Sequence, residues 1–219
     1  MTAAESGSLT DYIASELREK IFRHELKPNE PIRQERIAIE MGTSRLPVRE
    51  ALRRLESEGL VVIRPYSGAR VAILDHVECE EIYKIRERLE PLAISESIPF
   101  MTAEQQEECA RLAAALTGLR GDHVGWLQGD RDFHLATYAG IRKPRLLTMI
   151  VGYWNTTQHF RRLLLTTFSD HDYDMADAEH ALIVDAVRTR DVPRAEGMLR
   201  MHIERSRVRL SERAALFDS

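Results

Sequence analysis

The sequence of 219 residues lacks the features that mark several specialised protein classes. Its two cysteines, Cys79 and Cys109, are too few for a disulfide framework and too far apart for a Cys-x-x-Cys metal site. The longest apolar stretch, 146–154, contains a threonine and a glycine and is shorter than the ~18 residues of a membrane helix. The N-terminus has no basic residue ahead of an apolar run, so it does not predict a secretory signal. We therefore expect a cytoplasmic protein without a membrane segment.

Basic residues are fewer than acidic ones, and the net charge of −4 by itself argues weakly against a nucleic-acid partner. The charge is unevenly distributed along the chain. Residues 1–74 hold 12 basic against 11 acidic residues, and residues 33–54 hold six arginines against three glutamates. The first third of the chain is therefore the part best suited to contact an anionic partner.

Apolar periodicity and turn residues predict two domains, and 43% apolar with 30% charged residues fits a soluble globular chain. We predict a mainly α fold with an N-terminal winged helix-turn-helix at 11–74 and an all-α bundle of about six helices at 75–219. Thr10 and Ser44 are placed to cap the first and third helices. The predicted elements are a disordered start at 1–10, helices at 11–24, 33–41 and 45–58, strands at 60–63 and 69–74, and helices near 76–97, 103–120, 124–139, 144–167, 173–190 and 192–216.

The predicted helix at 45–58 has an apolar face and a basic face. Its apolar residues recur at positions i, i+4 and i+7, which predicts the side that packs on the domain core, so Arg45, Arg49 and Arg53 point outward. Arginines on the first turns of a helix suit the DNA major groove, where a guanidinium contacts guanine bidentately. A solvated basic surface is the alternative for this helix alone. The hairpin that follows, with Arg64 and Arg70, supplies a wing and favours DNA binding.

This segment resembles the GntR family of transcription regulators. The family typically has Ser-Arg-x-Pro-Val-Arg-Glu-Ala-Leu, then Arg-Leu and Glu-Gly-Leu, and the same pattern occupies 44–60 here, with the family's Pro-x-x-Gly-x-x-Val at 65–71. Asn29 and Leu46 depart from the usual Gly and Thr, and Leu46 predicts a changed operator preference. The pattern and the resemblance together predict that the residues in contact with double-stranded DNA are Arg33, Arg36, Ser44, Arg45, Leu46, Pro47, Arg49, Arg53, Arg64, Gly68 and Arg70.

Three of the eight histidines, with one aspartate, form a candidate metal site. Asp130 and His134 are four positions apart on one predicted helix, so their carboxylate and imidazole lie side by side. His180 and His202 lie on later predicted helices among apolar residues that face the bundle interior. A buried imidazole needs a partner, and a metal provides one. Hydrogen bonds among the histidines and Asp130 would also do so, and spacing alone leaves both alternatives open.

The second domain resembles the FCD effector domain of the FadR-type branch of GntR regulators. The resemblance rests on Tyr83-x-x-Arg86-x-x-Leu89-Glu90, on Phe133-His134, on Glu179-His180 and on Met198-x-x-x-His202. It implies that Asp130, His134, His180 and His202 hold a divalent metal, for which Zn²⁺, Ni²⁺ and Mn²⁺ are all suitable. A small organic carboxylate would fill the open coordination positions. Its further contacts would be Arg86, as a bidentate anchor, and Asn155, as a hydrogen-bond partner. The candidate apolar walls, for which a plain core role is the alternative, are Trp126, Leu147, Val151 and Trp154.

The predicted function is that of a ligand-responsive transcription regulator, a repressor and not an enzyme. We expect a homodimer on an inverted-repeat operator, because one recognition helix reads only a few base pairs. The rival is a metal-dependent hydrolase fused to a DNA-binding module. Against it, no glutamate is spaced as in His-Glu-x-x-His, and Glu179 lies about 100° around the helix from His180. A metal-free structural bundle is the third alternative.

Overall fold

The computed structural model describes residues 3–213, with side chains from Leu9 onward. The chain divides into two compact units, an N-terminal unit that ends at Leu74 and a C-terminal unit that begins at Asp75. Within the described residues, none of the helices is both long enough and apolar enough to cross a membrane.

The N-terminal unit is a winged helix-turn-helix. Its three strands pair antiparallel in the order β1-β3-β2, with Arg64 opposite Gly68 at the hairpin end. The two-residue strand β1 was not predicted, because its proline indicated only a turn, although proline is tolerated on an edge strand. The elements are α1 (Ala3–Phe22), β1 (Pro31–Ile32), α2 (Gln34–Glu40), α3 (Arg45–Ser57), β2 (Val61–Arg64) and β3 (Gly68–Val71).

Helix α1 begins earlier than the sequence predicted. Residues 3–10, predicted to be disordered with a cap at Thr10, continue the helix instead. Extending a helix that already exists fixes one residue per hydrogen bond, so residues with modest helix propensity join it at little cost. Thr10 is therefore a residue of helix α1 and not its cap, and its hydroxyl donates to the Glu50 carboxylate at 3.5 Å.

Helix α3 packs its apolar face on α1, and this contact forms the core of the N-terminal unit. Ile13 and Leu17 of α1 and Val48, Leu52 and Leu55 of α3 are fully buried. Ser44 is the N-cap residue of α3 with an extended backbone, but its side chain accepts no capping hydrogen bond within the described chain. The predicted apolar periodicity of this helix therefore matches its packing.

The C-terminal unit is a helical bundle. Helix α4 packs against α7 and α9, α5 packs against α6 and α8, and α8 also contacts α9. Helix α8 begins three residues before its predicted start, since Ser169 and Asp172 form a capping box where the sequence indicated a polar turn. The last helix ends at Ser211 with Glu212 as its C-cap, about five residues before the predicted end near 216. The helices are α4 (His76–Ser97), α5 (Ala103–Leu116), α6 (His123–Thr137), α7 (Pro144–Leu165), α8 (Asp170–Arg188) and α9 (Val192–Ser211), with short 3-10 turns at Ile98–Phe100 and Thr117–Leu119.

Candidate metal centre and DNA-binding face

Three helices of the C-terminal unit bring four candidate metal ligands together. Asp130 and His134 lie one turn apart on α6, His180 lies on α8, and His202 lies on α9. One ligand atom from each lies within 4.8 Å of the others, and all four side chains are buried. The bundle therefore assembles one carboxylate oxygen and three imidazole nitrogens from positions as much as 72 residues apart in sequence.

The contacts inside this cluster leave polar atoms unpaired. Nε2 of His180 lies 3.3 Å from Oδ1 of Asp130 without hydrogen-bond geometry, and Nε2 of His134 lies 3.3 Å from Nε2 of His202. Within the described chain, Oδ1 of Asp130 and both ring nitrogens of His180 have no hydrogen-bond partner. An N and O donor set with orphaned buried atoms fits a divalent transition metal. These residues therefore suit the ion that the sequence resemblance implies.

A second layer of charged residues orients the ligands, and the sequence did not identify it. Arg161 of α7 binds Oδ2 of Asp130, which leaves Oδ1 toward the cluster. The imidazole of His202 donates from Nδ1 to Glu179 over 2.6 Å, and Arg205 donates to the same carboxylate at 2.7 Å. A hydrogen bond at Nδ1 fixes the tautomer that offers Nε2 to a metal. Glu179 lies on α8 but binds His202 on α9, and its position next to His180 in the sequence does not predict this contact.

The pKa shifts of Asp130, His134 and His202 favour the forms that bind a metal. Burial lowers the pKa of His134 well below its usual value, and burial also lowers the pKa of His202 although Glu179 acts in the opposite direction. Burial acts to raise the pKa of Asp130, but the neighbouring His180 and Arg161 hold it below the ordinary range. Neutral imidazoles and an ionised carboxylate are the forms that coordinate a cation.

Arg86, the predicted effector anchor, lies beside this cluster and is already paired. Its Nε donates to Oε1 of Glu90 over 2.5 Å, and Tyr138 donates to the other oxygen of Glu90 at 2.7 Å. The guanidinium carbons of Arg86 and Arg161 lie 4.4 Å and 3.7 Å from the ring centroid of Trp154. The sequence therefore identified one of two arginines that lie against the same indole.

A cavity of about 40 Å³ opens on this cluster. Arg86 and two of the four predicted walls, Trp126 and Trp154, line it, whereas Leu147, Val151 and the buried Asn155 are absent from the described lining. Trp154 and Arg161 are seven positions apart and share one face of α7, and Asn155 lies about 100° away around the helix axis, so its contact with an effector stays a prediction. The described lining residues are Tyr83, Arg86, Trp126, Leu127, Asp130, His134, Trp154, Arg161, Leu164, Leu165, Phe168, Ala176, His202, Ile203, Arg205 and Ser206.

The predicted DNA-contacting residues fall mostly on the surface of the N-terminal unit. Pro47 is buried, because it lies on the side of α3 that faces the core, so it supports the helix rather than offering a surface to DNA. Arg70 is partly buried and donates to the backbone carbonyl of Asn29 at 2.8 Å. The predicted residues that are exposed are Arg33, Arg36, Ser44, Arg45, Leu46, Arg49, Arg53, Arg64 and Gly68.

The exposed arginines differ in their partners. Arg36 pairs with Glu40 at 2.7 Å, and Arg45 pairs with Glu35 at 3.1 Å. Arg33, Arg49, Arg53 and Arg64 make no ion pair with a described residue. These four guanidiniums therefore remain available for an external anion.

The tip of the wing holds an exposed aromatic residue that the sequence analysis did not single out. Tyr66 lies between β2 and β3 with a φ of 62°, and its side chain is fully exposed. A bulky residue in the left-handed region is uncommon. The sequence signal that could have identified this residue is its place between Pro65 and Gly68 of the wing motif.

Comparisons with known proteins agree with both units. The family described as "Bacterial regulatory proteins, gntR family" matches residues 9–71, and the FCD domain family matches residues 81–205. The chain is 29% identical over 195 residues to YdhC, an uncharacterised HTH-type transcriptional regulator of Bacillus subtilis (strain 168), which covers 86% of this chain and 84% of the relative.

Two further proteins are similar over most of the chain. A probable D-xylose utilization operon transcriptional repressor of Paenarthrobacter nicotinovorans is 29% identical over 199 residues, which cover 87% of this chain and 85% of that one. The structure of E. coli McbR/YncC has the same fold, with a TM-score of 0.80 over 97% of this chain and 99% of that one at 22% identity. These matches show that the chain belongs to the GntR family, with an FCD domain, and is a DNA-binding transcriptional regulator and not a metal-dependent hydrolase.

Proposed function

We propose that this regulator is a repressor whose FCD domain binds one divalent metal and a small carboxylate effector. The metal ligands are Asp130, His134, His180 and His202. The observation that carries the proposal is the buried cluster of four ligand atoms within 4.8 Å, in which both ring nitrogens of His180 lack a partner among the described residues. When bound, the metal supplies a Lewis-acidic centre to which a carboxylate oxygen binds.

The alternative to a metal site is a metal-free core in which the histidines bond to one another, and one contact favours it. The 3.3 Å approach of His134 to His202 resembles a hydrogen bond between two imidazoles. That contact leaves His180 and Oδ1 of Asp130 unpaired within the described chain. Each buried unpaired polar group costs roughly 1–3 kcal/mol, so several of them together favour an occupant. The simplest occupant is a cation, which binds the unpaired nitrogen and oxygen atoms directly.

The DNA-binding half of the proposal rests on the exposed basic face. Arg49 and Arg53 extend from α3 opposite its buried side, and Arg64 lies at the entry of the wing. We propose that two copies of the chain read an inverted repeat, because one recognition helix contacts too few base pairs for specificity. The relative from Paenarthrobacter is named as a repressor, which supports the same role here.

Metal titration of the full chain tests this function. Metal-free protein is titrated with Zn²⁺, Ni²⁺ and Mn²⁺ in a calorimeter and then melted with and without each ion. We expect a free metal concentration a hundredfold above Kd to add about 2.7 kcal/mol to the free energy of unfolding. His180→Ala removes most of this gain. His171→Ala, which changes an exposed histidine of the same helix, leaves it intact.

The opposite result is equally clear. If the metal-free wild type takes up none of the three ions and melts at the same temperature in their presence, the four residues form a satisfied histidine core. The metal part of the proposal is then wrong, and the family assignment is unaffected.

A further inference from the structure

Two buried guanidiniums beside the candidate metal centre have donors without acceptors. Arg86 is 2% exposed and Arg161 is 8% exposed, and both line the cavity. In each of them Nη1 is buried and has no hydrogen-bond partner among the described residues. Charged donors are expensive to leave unpaired inside a protein. Their position in the cavity wall makes an anion the natural acceptor.

The charges around the cavity cancel before any ligand binds. Each of three arginines on the wall is paired with one carboxylate, so these six groups have no net charge. The cluster imidazoles are neutral in the forms that bind a metal. The pairs are Arg86 with Glu90, Arg161 with Asp130, and Arg205 with Glu179.

A divalent cation in this cluster therefore adds two positive charges that no described side chain offsets. One carboxylate on the metal neutralises only half of them, and an uncompensated buried charge is strongly unfavourable. An effector with two negative charges removes the whole excess. Its second anionic group also supplies the acceptor that Nη1 of Arg86 and Nη1 of Arg161 lack.

We propose that the effector is a short-chain dicarboxylate, with one carboxylate at the metal cluster and the other on the guanidiniums of Arg86 and Arg161. This inference rests on the proposed metal site. Arg161 contacts Asp130 directly, so the two anionic positions are close together and the diacid is short.

The wall of the cavity distinguishes a diacid from an inorganic dianion. Trp126, Leu164 and Ile203 line it with apolar surface, which suits the methylene groups of a carbon chain. Hydrogen phosphate has the same charge but presents oxygen on every side. We therefore assign the site to an organic dianion and include inorganic phosphate as a separate arm of the test.

Matched acids of equal carbon number test the inference on the full chain loaded with Zn²⁺. Calorimetric titration compares malonate with propionate and succinate with butyrate, and metal content is measured after dialysis because diacids chelate zinc. We expect at least one of the two diacids to bind about tenfold or more tightly than its monoacid, which is the gain from one charge-assisted contact. Inorganic phosphate binds more weakly than that diacid.

A double variant removes the arginine without leaving a buried carboxylate alone. Arg86→Gln with Glu90→Gln deletes one positive and one negative charge, and we expect it to keep the metal and lose the preference for diacid over monoacid. Arg88→Gln is the control on the same helix, with a side chain that is 70% exposed, and it keeps both the metal and the preference for the diacid. The wild-type comparison of matched acids decides the matter even where the double variant does not fold.

Each contrary outcome has a distinct meaning. Equal affinity for diacid and monoacid in zinc-loaded protein overturns the dicarboxylate assignment but does not contradict the metal site. A preference for diacid over monoacid that persists in the double variant has the same meaning. Tighter binding of inorganic phosphate than of any diacid also overturns it. If no metal binds, the proposed function fails first and this inference falls with it.

Discussion

Glu179 and His180 are neighbours in sequence but serve the cluster from different directions. His180 offers its ring to the cluster itself, while Glu179 turns toward α9 and accepts a hydrogen bond from His202 at 2.6 Å. Arg205 holds the same carboxylate at 2.7 Å. The role of Glu179 is therefore to position a ligand, and its removal should change metal affinity without removing any ligand.

We predict that Glu179→Gln weakens metal binding by roughly 10- to 100-fold, the usual effect of losing a carboxylate that supports a histidine ligand. The amide keeps the shape of the side chain but loses the charge that favours the Nδ1 proton of His202. Competition with a chromophoric chelator measures the affinity. Glu204→Gln, an exposed residue of the same helix as His202, is the control and leaves affinity unchanged. Equal affinities in both variants would show that Glu179 has no role in the site.

Two arginines of α3 that differ in their ion pairs provide a second test, in which one is the control for the other. Arg49 is exposed and makes no ion pair with a described residue, whereas Arg54 pairs with Asp11 and lies 3.5 Å from Glu58. We predict that Arg49→Ala costs about 1–3 kcal/mol of operator binding if it contacts a base, and that Arg54→Ala has a much smaller effect. Fluorescence anisotropy at several salt concentrations measures both. An unchanged affinity and salt dependence for Arg49→Ala would contradict its role in DNA binding.

At the scale of elements, the loop between α6 and α7 is held against the end of α4. The amide of Gly140 donates to the Ser97 hydroxyl at 2.9 Å, and the glycine is buried. A Cβ at this position would collide with the carbonyl oxygen of Ser97 and lie 2.9 Å from the amide nitrogen of Met101. The close approach of two backbones therefore requires glycine here.

Two glycine substitutions test this packing with opposite expected signs. Gly140→Ala forces backbone atoms apart, and we predict a loss of about 1–3 kcal/mol in the free energy of unfolding. Gly197→Ala lies in helix α9, where a Cβ meets nothing within 4 Å, and we predict a gain of about 0.5–1 kcal/mol. Urea denaturation measures both. A Gly140→Ala protein as stable as wild type would show that the loop moves freely from α4.

For the whole molecule, the regulator is predicted to act as a symmetric pair. A homodimer presents two copies of α3 to half-sites that are about one helical turn apart and related by a two-fold axis. We expect a protected inverted repeat in a DNase footprint and a dimer in sedimentation at micromolar concentration. A single asymmetric half-site together with a monomeric protein would contradict this prediction.

The sequence predicted the family, the fold class and the positions of most elements. Local signals explain this success, since the apolar spacing of α3 and the ordered motif from Ser44 to Leu60 depend only on neighbours along the chain. The early start of α1 and the strand β1 were missed, because their stability comes from a helix and a sheet that are already present. The burial of Pro47 and the absence of Asn155 from the described cavity lining could not be predicted from spacing, because the face that a helix buries decides which side chains reach a surface or cavity.

What the sequence determined by itself about the candidate site was the identity of four residues with ligand chemistry: Asp130, His134, His180 and His202. Only the tertiary structure brought their ligand atoms within 4.8 Å, and only it revealed that Arg161 and Glu179 orient two of them. The physical reason is that spacing along one helix fixes contacts between residues three or four apart, whereas contacts between helices depend on how their buried faces pack.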